Sequence, residues 1–211
     1  RSSDLDYVIQ VDKLVPGEIN RTTHEAVYPG GKGNNVSVIL SNLGHSSKAL
    51  GFTAGFTGEA LENMLKEFGC DTAFIRLPEG STRINVKINA GEETEINGQG
   101  PVITEEAQSA LFEQLDALKE EDILVLAGSI PNTLPSDIYE RILEHLQGRG
   151  IHFVVDATKD LLLKVLKYHP FLIKPNNHEL GEMFGVTLKT RDEIVIYAKK
   201  LQEMGAKNVL V

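Results

Sequence analysis

The residues Pro29-Gly30-Gly31-Lys32-Gly33-Asn34-Asn35 run straight into the helical stretch Val36-Ser37-Val38-Ile39-Leu40-Ser41-Asn42-Leu43-Gly44. Glycines let a ligand approach the backbone closely, Lys32 adds a cation, and the N–H groups of a new helix point at whatever docks there. An anionic or hydroxyl-rich small molecule suits such a turn, although a helix entry that only needs flexible backbone would look the same. Lys32 is followed by Gly33 where a Ser or Thr would hold magnesium, so this is not a Walker A loop. The Gly-x-Gly-x-x-Gly spacing of a dinucleotide site is absent as well.

Two further groupings carry chemistry. Thr82-Arg83-Ile84-Asn85-Val86-Lys87-Ile88-Asn89 alternates strictly, with Ile84, Val86 and Ile88 on one face and Arg83, Asn85, Lys87 and Asn89 on the other. A face of Arg, Lys and amides suits a lid over a phosphorylated sugar, and equally a solvated edge with scattered charge. In Lys174-Pro175-Asn176-Asn177-His178-Glu179, Asn176 and Glu179 lie three apart at a helix start and can converge on one point. An amide and a carboxylate there could organise a magnesium ion that keeps its waters. The same pair reads equally as a helix N-cap with Glu179 favouring the dipole.

The elements that must position these groups alternate short apolar runs with amphipathic helical stretches, an α/β pattern. Core strands are expected at Lys48 to Phe52, Ile123 to Ala127, His152 to Asp156, Phe171 to Lys174 and Asn208 to Val211. Helices are expected near Glu59 to Phe68, Glu105 to Leu118, Ser136 to Gln147, Lys159 to Leu166, His178 to Phe184 and Arg191 to Met204. Thr104, Ser136 and Thr190 supply starts, the last with Glu193 three residues on. The alternating segment is expected to be a half-exposed antiparallel strand. Its hairpin partner is Glu93 to Asn97 through the Ala90-Gly91 turn, and Tyr7 to Val11 and Glu25 to Tyr28 complete a small sheet. Small polar groups close two core strands, in Ala127-Gly128-Ser129-Ile130-Pro131 and at Asp156, where α/β proteins place their sites.

Composition excludes several classes. A net charge of -9 gives no general attraction for nucleic acid or an anionic membrane. Cys70 is alone, which rules out an intrachain disulfide or a cysteine-rich metal site and fits a reducing, cytoplasmic setting. No run reaches membrane-span length, and Arg1-Ser2-Ser3-Asp4 is not a signal peptide. The six histidines lack metal-ligand spacing, and Gly51 to Gly58 is a phosphate loop or, more simply, a flexible strand-to-helix connection.

Five motifs in order resemble the PfkB, or ribokinase-like, carbohydrate kinases. They are the glycine turn at 29–35, Thr82 to Lys87, Thr94-Glu95-Ile96-Asn97-Gly98, Ala127 to Pro131, and Lys174 to Leu180. Within the family they are most similar to the 1-phosphofructokinases and tagatose-6-phosphate kinases. The resemblance runs from Asp6 onward and implies one ribokinase-like α/β domain over 1–211: a Rossmann-like, mostly parallel sheet flanked by helices, with a small β-sheet lid from segments near 7–28 and 82–97. It implies ATP- and magnesium-dependent phosphorylation of a ketohexose monophosphate to the bisphosphate, fructose 1-phosphate first. By residue, Asp6 resembles the carboxylate that bonds sugar hydroxyls, and Gly30, Gly31 and Asn35 the turn contacts to the sugar. Arg83 resembles the lid arginine on the existing phosphate, with Lys32 a second cation and Ser129 a further sugar position. Lys174, Asn176 and Glu179 resemble the nucleotide side, Glu179 reaching magnesium indirectly. Phosphoryl transfer needs mostly positioning and charge neutralisation, which these groups supply.

Two departures accompany the resemblance. The family's first core strand and Asn-Pro turn are replaced by Arg1-Ser2-Ser3-Asp4-Leu5-Asp6, and no Gly-Ala-Gly-Asp motif, which carries the family's catalytic base, occurs in the 211 residues. The base is therefore expected beyond Val211, and these residues alone are expected to be inactive. A non-catalytic sugar-phosphate binding module is the alternative from another class. A homodimer through the apolar lid face of Ile84, Val86 and Ile88 is the expected assembly.

Overall fold

The computed structural model describes residues 4–157 and 159–211. The reading of the chain's first three residues, as neither leader nor core strand, lies outside the described residues. Two compact units divide the chain: Arg1–Leu111 with Pro131–Thr133, and Phe112–Ile130 with Leu134–Val211.

The first unit contains β1 (Asp4–Gln10), β2 (His24–Gly30), α1 (Lys32–Asn42), β3 (Lys48–Ala49), β4 (Phe52–Ala54), α2 (Gly55–Glu67), β5 (Asp71–Thr72), β6 (Ile75–Leu77), β7 (Arg83–Asn89) and β8 (Glu93–Asn97). Four strands form a mixed sheet in the order β2-β1-β7-β8. The expected hairpin is present, since β7 runs antiparallel to β8. On its other edge, however, β7 runs parallel to β1, with Asp4 opposite Arg83 and Asp6 opposite Asn85. Long-range pairing of this kind leaves no local turn signal, so the purely antiparallel expectation for this strand is corrected. Because side chains alternate along a strand, the register gathers Asp4, Asp6, Arg83, Asn85 and Lys87 on one face and Leu5, Tyr7, Ile9, Ile84, Val86 and Ile88 on the other. The apolar face is uneven: Ile88 is buried, whereas Ile84 is 40% exposed.

Beside this sheet, Leu5, Leu61, Leu65 and Cys70 form an apolar cluster with Val38, Met64 and Phe74 packed on it. The expected strand Lys48 to Phe52 is split at residues 50–51 into β3 and β4, which pair in parallel with β5 and β6. Two- and three-residue strands are too short to display a period, which is why β5 and β6 carry no sequence signal. α2 starts at Gly55 rather than Glu59 because the Thr82 hydroxyl accepts from Ala54 N at 2.8 Å and fixes the chain where the helix begins.

α3 (Glu105–Asp116) leads into the second unit, with β9 (Ile123–Ala127), α4 (Ile138–Leu146), β10 (His152–Asp156), α5 (Lys159–Val165), β11 (Leu172–Ile173), α6 (Asn177–Met183), α7 (Arg191–Glu203) and β12 (Asn208–Val209). Its sheet, β12-β11-β10-β9, is parallel throughout. Val155 and Ile173 are fully buried in it, and Leu143, Leu146, Leu162, Leu180 and Leu201 bury the helices' inner faces. In α4 the buried positions Ile138, Tyr139, Ile142, Leu143 and Leu146 trace one stripe, as a core-facing helix requires. This helix starts two residues later than Ser136, because a turn closes from Ile138 N to Pro135 O. The chain is α/β with a mostly parallel core sheet and a small mixed sheet.

Candidate functional site

In the first unit the polar face of the mixed sheet carries two acid–base pairs on neighbouring rungs. Arg83 forks onto Asp4, with Nε donating to Oδ1 at 2.8 Å and Nη2 to Oδ2 at 2.7 Å. Asp4 is 1% exposed, and the guanidinium that meets both its oxygens offsets the cost of burying its charge. One rung on, Asp6 Oδ1 accepts from Asn85 Nδ2 at 3.1 Å and its Oδ2 lies 3.6 Å from Lys87 Nζ. Lys87 also lies 3.3 Å from Glu95. Partial burial works against the charge on Lys87, but Asp6 and Glu95 outweigh it and its pKa is raised.

Asn85 is 7% exposed. An ionised carboxylate only accepts, so the amide nitrogen must face Asp6 and the oxygen turns away. That Oδ1 is buried and has no hydrogen-bond partner.

The glycine turn abuts this face. A Cβ on Gly30 would stand 2.6 Å from Asp6 Oδ1, so only glycine lets the carboxylate lie against the strand. Gly31 has φ 99°, a left-handed value that glycine tolerates. Asn34, buried, donates to Gly30 O at 2.7 Å and ties the turn together. Asn35 and Lys32 are exposed at the start of α1, which has no side-chain cap and no acid in its first turn. Of the residues expected on the sugar side, Asp6, Gly30, Gly31 and Arg83 are thus brought together, and Lys32 and Asn35 border them at the turn.

The remaining expected residues lie in the second unit, at the carboxyl ends of its parallel strands. Ser129 is exposed just past β9. Before it Gly128, with φ 93°, donates to Asp156 O, and the Tyr139 hydroxyl reaches the carbonyls of Ala127 and Gly128 at 3.3 and 3.2 Å. Lys174 Nζ lies 3.6 Å from Asp156 Oδ2. Asn176 and Glu179 form a complete capping box: Asn176 Oδ1 accepts from Glu179 N, and Glu179 Oε2 from Asn176 N, both at 2.8 Å. The box uses one oxygen of each side chain and leaves Glu179 Oε1 available. Among the described residues no group of three or more His, Cys, Asp or Glu is arranged to hold a metal. The Gly51 to Gly58 segment is the β4–α2 connection, and nearby Arg76 is already paired with Glu59 and Glu62.

Sequence reasoning passed over Asp4 and Asn34 as site residues, and placed Asn85 and Lys87 on the polar lid face without giving them a role of their own. Asp4 has a legible signal, because two residues from Asp6 on a strand means the same face.

Comparison with known proteins identifies the family. The profile described as pfkB family carbohydrate kinase matches residues 3–211. The chain is 49% identical over 207 residues to the 1-phosphofructokinase of Bacillus subtilis (strain 168), covering 98% of this chain and 68% of that protein. It is 36% identical over 208 residues to the D-tagatose-1-phosphate kinase of Bacillus licheniformis, again covering 98% and 68%. This tagatose kinase is named for the 1-phosphate, not for the 6-phosphate of the tagatose kinases picked out from the sequence. A crystal structure of phosphofructokinase-2 from Escherichia coli in complex with substrates and products superposes with a TM-score of 0.90 at 27% identity, covering 99% of this chain and 69% of that one.

Proposed function

The chain belongs to the pfkB family of carbohydrate kinases, and from that premise we propose that it phosphorylates a ketohexose monophosphate, fructose 1-phosphate first, to the bisphosphate at the expense of ATP. The observation that carries this reading is the polar sheet face, where Arg83 and Asp6 stand on neighbouring rungs against the glycine turn. Arg83 takes the ester phosphate already on the sugar, with Lys32 as second cation. Asp6, seated by Gly30, accepts from sugar hydroxyls, and Gly31 and Asn35 add polar contacts. An arginine with N–H donors left for the ester phosphate discriminates a phosphorylated sugar from a free one.

On the nucleotide side, Lys174 would neutralise ATP phosphates, and Asn176 and Glu179 would hold a magnesium ion through its waters. The one open carboxylate oxygen of the pair, Glu179 Oε1, suits a magnesium ion that keeps most of its waters. Magnesium when bound would neutralise charge on the transferring phosphates. In the transfer an oxygen–phosphorus bond forms at the sugar hydroxyl while the bond from the γ-phosphorus to ADP breaks. The residues described here position and neutralise; none of them is assigned the proton of the attacking hydroxyl.

No helix among the described residues is long and apolar enough to cross a membrane, and a buried lone thiol fits a cytoplasmic ATP-dependent enzyme. Exposed Ile84, Val27 and Ile96 on the apolar sheet face support a homodimer through that face, which light scattering of the purified protein tests.

The functional test is coupled ADP release by the protein from the uninterrupted reading frame that carries these residues. Fructose 1-phosphate, tagatose 1-phosphate, tagatose 6-phosphate and unphosphorylated fructose are compared. Fructose 1-phosphate should give the highest kcat/KM, with fructose lower by about 10- to 100-fold because a charged hydrogen bond is lost. Equal rates on fructose and its phosphate would defeat the reading, and a preference for tagatose 1-phosphate would reassign the sugar within it.

A further inference from the structure

Arg83 is held along its whole length. At its head the Asp4 carboxylate grips Nε and Nη2. Along its stem it is walled by two glycines of the segment after β8. A Cβ on Gly98 would stand 3.2 Å from Arg83 Cγ and 2.8 Å from Ile84 O, and a Cβ on Gly100 3.4 Å from Arg83 Cβ. The parallel register sets Asp4 directly across from Arg83, and the two are 79 residues apart in sequence.

A guanidinium has five N–H donors in a rigid plane. The fork to Asp4 uses one on Nε and one on Nη2, which leaves both on Nη1 and one on Nη2. The free pair along the outer edge has the spacing of two phosphate oxygens. Asp4 is 1% exposed and out of a ligand's reach, whereas the Arg83 side chain is 15% exposed. A long side chain ordered before its ligand arrives loses less entropy on binding.

Two effects of Asp4 on a phosphate oppose one another. Its charge cancels much of the pull of Arg83, and its grip fixes the guanidinium edge. The two-point fork fixes the plane of the guanidinium, so orientation is the contribution that the geometry assigns to Asp4.

We propose that Asp4 is a positioning residue that holds Arg83 with its Nη1 edge presented to the ester phosphate of the sugar; this rests on the sugar-phosphate reading above. The test is a double-mutant cycle on the protein from the uninterrupted reading frame, with Asp4→Ala, Arg83→Ala and the pair assayed for ADP release with fructose 1-phosphate. Asp4→Ala should raise KM for the sugar phosphate about tenfold, with kcat and KM for ATP within about twofold. In the Arg83→Ala background the same change should move KM by less than about twofold, because its target is gone. A lower KM in Asp4→Ala would make Asp4 a competitor, and an equal rise in both backgrounds would make it merely structural; either overturns the proposal. Should Asp4→Ala fail to fold, Asp4→Asn keeps the size and one acceptor oxygen and carries the same cycle. If the unmutated protein releases no ADP with any ketohexose phosphate, the functional reading falls and the role of Asp4 with it. If that protein is active and the cycle is additive, only the role of Asp4 falls.

Discussion

The polar face of the mixed sheet and the strand-end loops of the second unit carry comparable residue types, yet they treat charge in opposite ways. On the sheet, Asp4 and Asp6 are set against Arg83 and Lys87 by a parallel register, and the Asp4–Arg83 pair is buried. In the loops, Asn176 is exposed and Glu179 half-buried, and each spends one oxygen on the start of α6. The sheet face holds its acids and bases in ion pairs on neighbouring rungs, which suits recognition of a particular sugar phosphate. The loops keep an open carboxylate oxygen beside solvent, which suits a hydrated cation that must come and go with the nucleotide.

The comparison breaks most readily at Arg83. Arg83→Ala takes away the guanidinium that meets both oxygens of the buried Asp4 carboxylate, and should cost about 3–5 kcal/mol in urea unfolding. The double replacement Asp4→Leu with Arg83→Met should recover most of that stability without recovering KM for the sugar phosphate. If Arg83→Ala alone is stable, the buried pair is not what organises the face.

Gly30→Ala comes next. Its Cβ would stand 2.6 Å from Asp6 Oδ1, so Asp6 must swing away from Asn85 and Lys87. The expected loss is about 1–3 kcal/mol, with a raised KM for the sugar phosphate and an unchanged KM for ATP. A neutral result would mean that Asp6 does not need its seat.

In the loops the effects are smaller and separable. Asn176→Ala should cost about 1 kcal/mol as a lost cap. Glu179→Gln keeps an oxygen for the Asn176 N–H, so its stability should stay within about 0.5 kcal/mol while KM for ATP rises. Equal destabilisation by both would leave Glu179 a cap and nothing more.

The smallest expected effect is that of Lys87→Met. The raised pKa of Lys87 means that its ionic contribution is complete below its ordinary 10.5 and is lost as pH rises through the raised value. The stability gap between the native protein and Lys87→Met should therefore be flat near neutrality and close only in strong alkali, as urea melts across that range will reveal.

Patterning in the sequence was sufficient for both faces of β7, for the presence of α4 and for the core strands β9, β10 and β11. The Asn176–Glu179 box was legible as a cap because its donors and acceptors lie within one helical turn. What stayed hidden depends on distant partners. Nothing local says that Asp4 meets Arg83 79 residues later, or that β7 has β1 as a parallel neighbour. The glycine turn was legible as a close approach, but the group that approaches Gly30 is Asp6 of this chain as well as any ligand. Strands as short as β5 and β6 leave no pattern to read.

The most direct test of the division between the two regions is a steady-state comparison of Asp6→Asn with Glu179→Gln, varying the sugar phosphate and ATP in turn. Asp6→Asn should raise KM for the sugar phosphate about 10- to 100-fold and leave KM for ATP within about twofold, and Glu179→Gln should do the reverse. If Asp6→Asn left the sugar-phosphate KM unchanged, or if both variants moved the two constants alike, the assignment of the sheet face to the sugar would be contradicted.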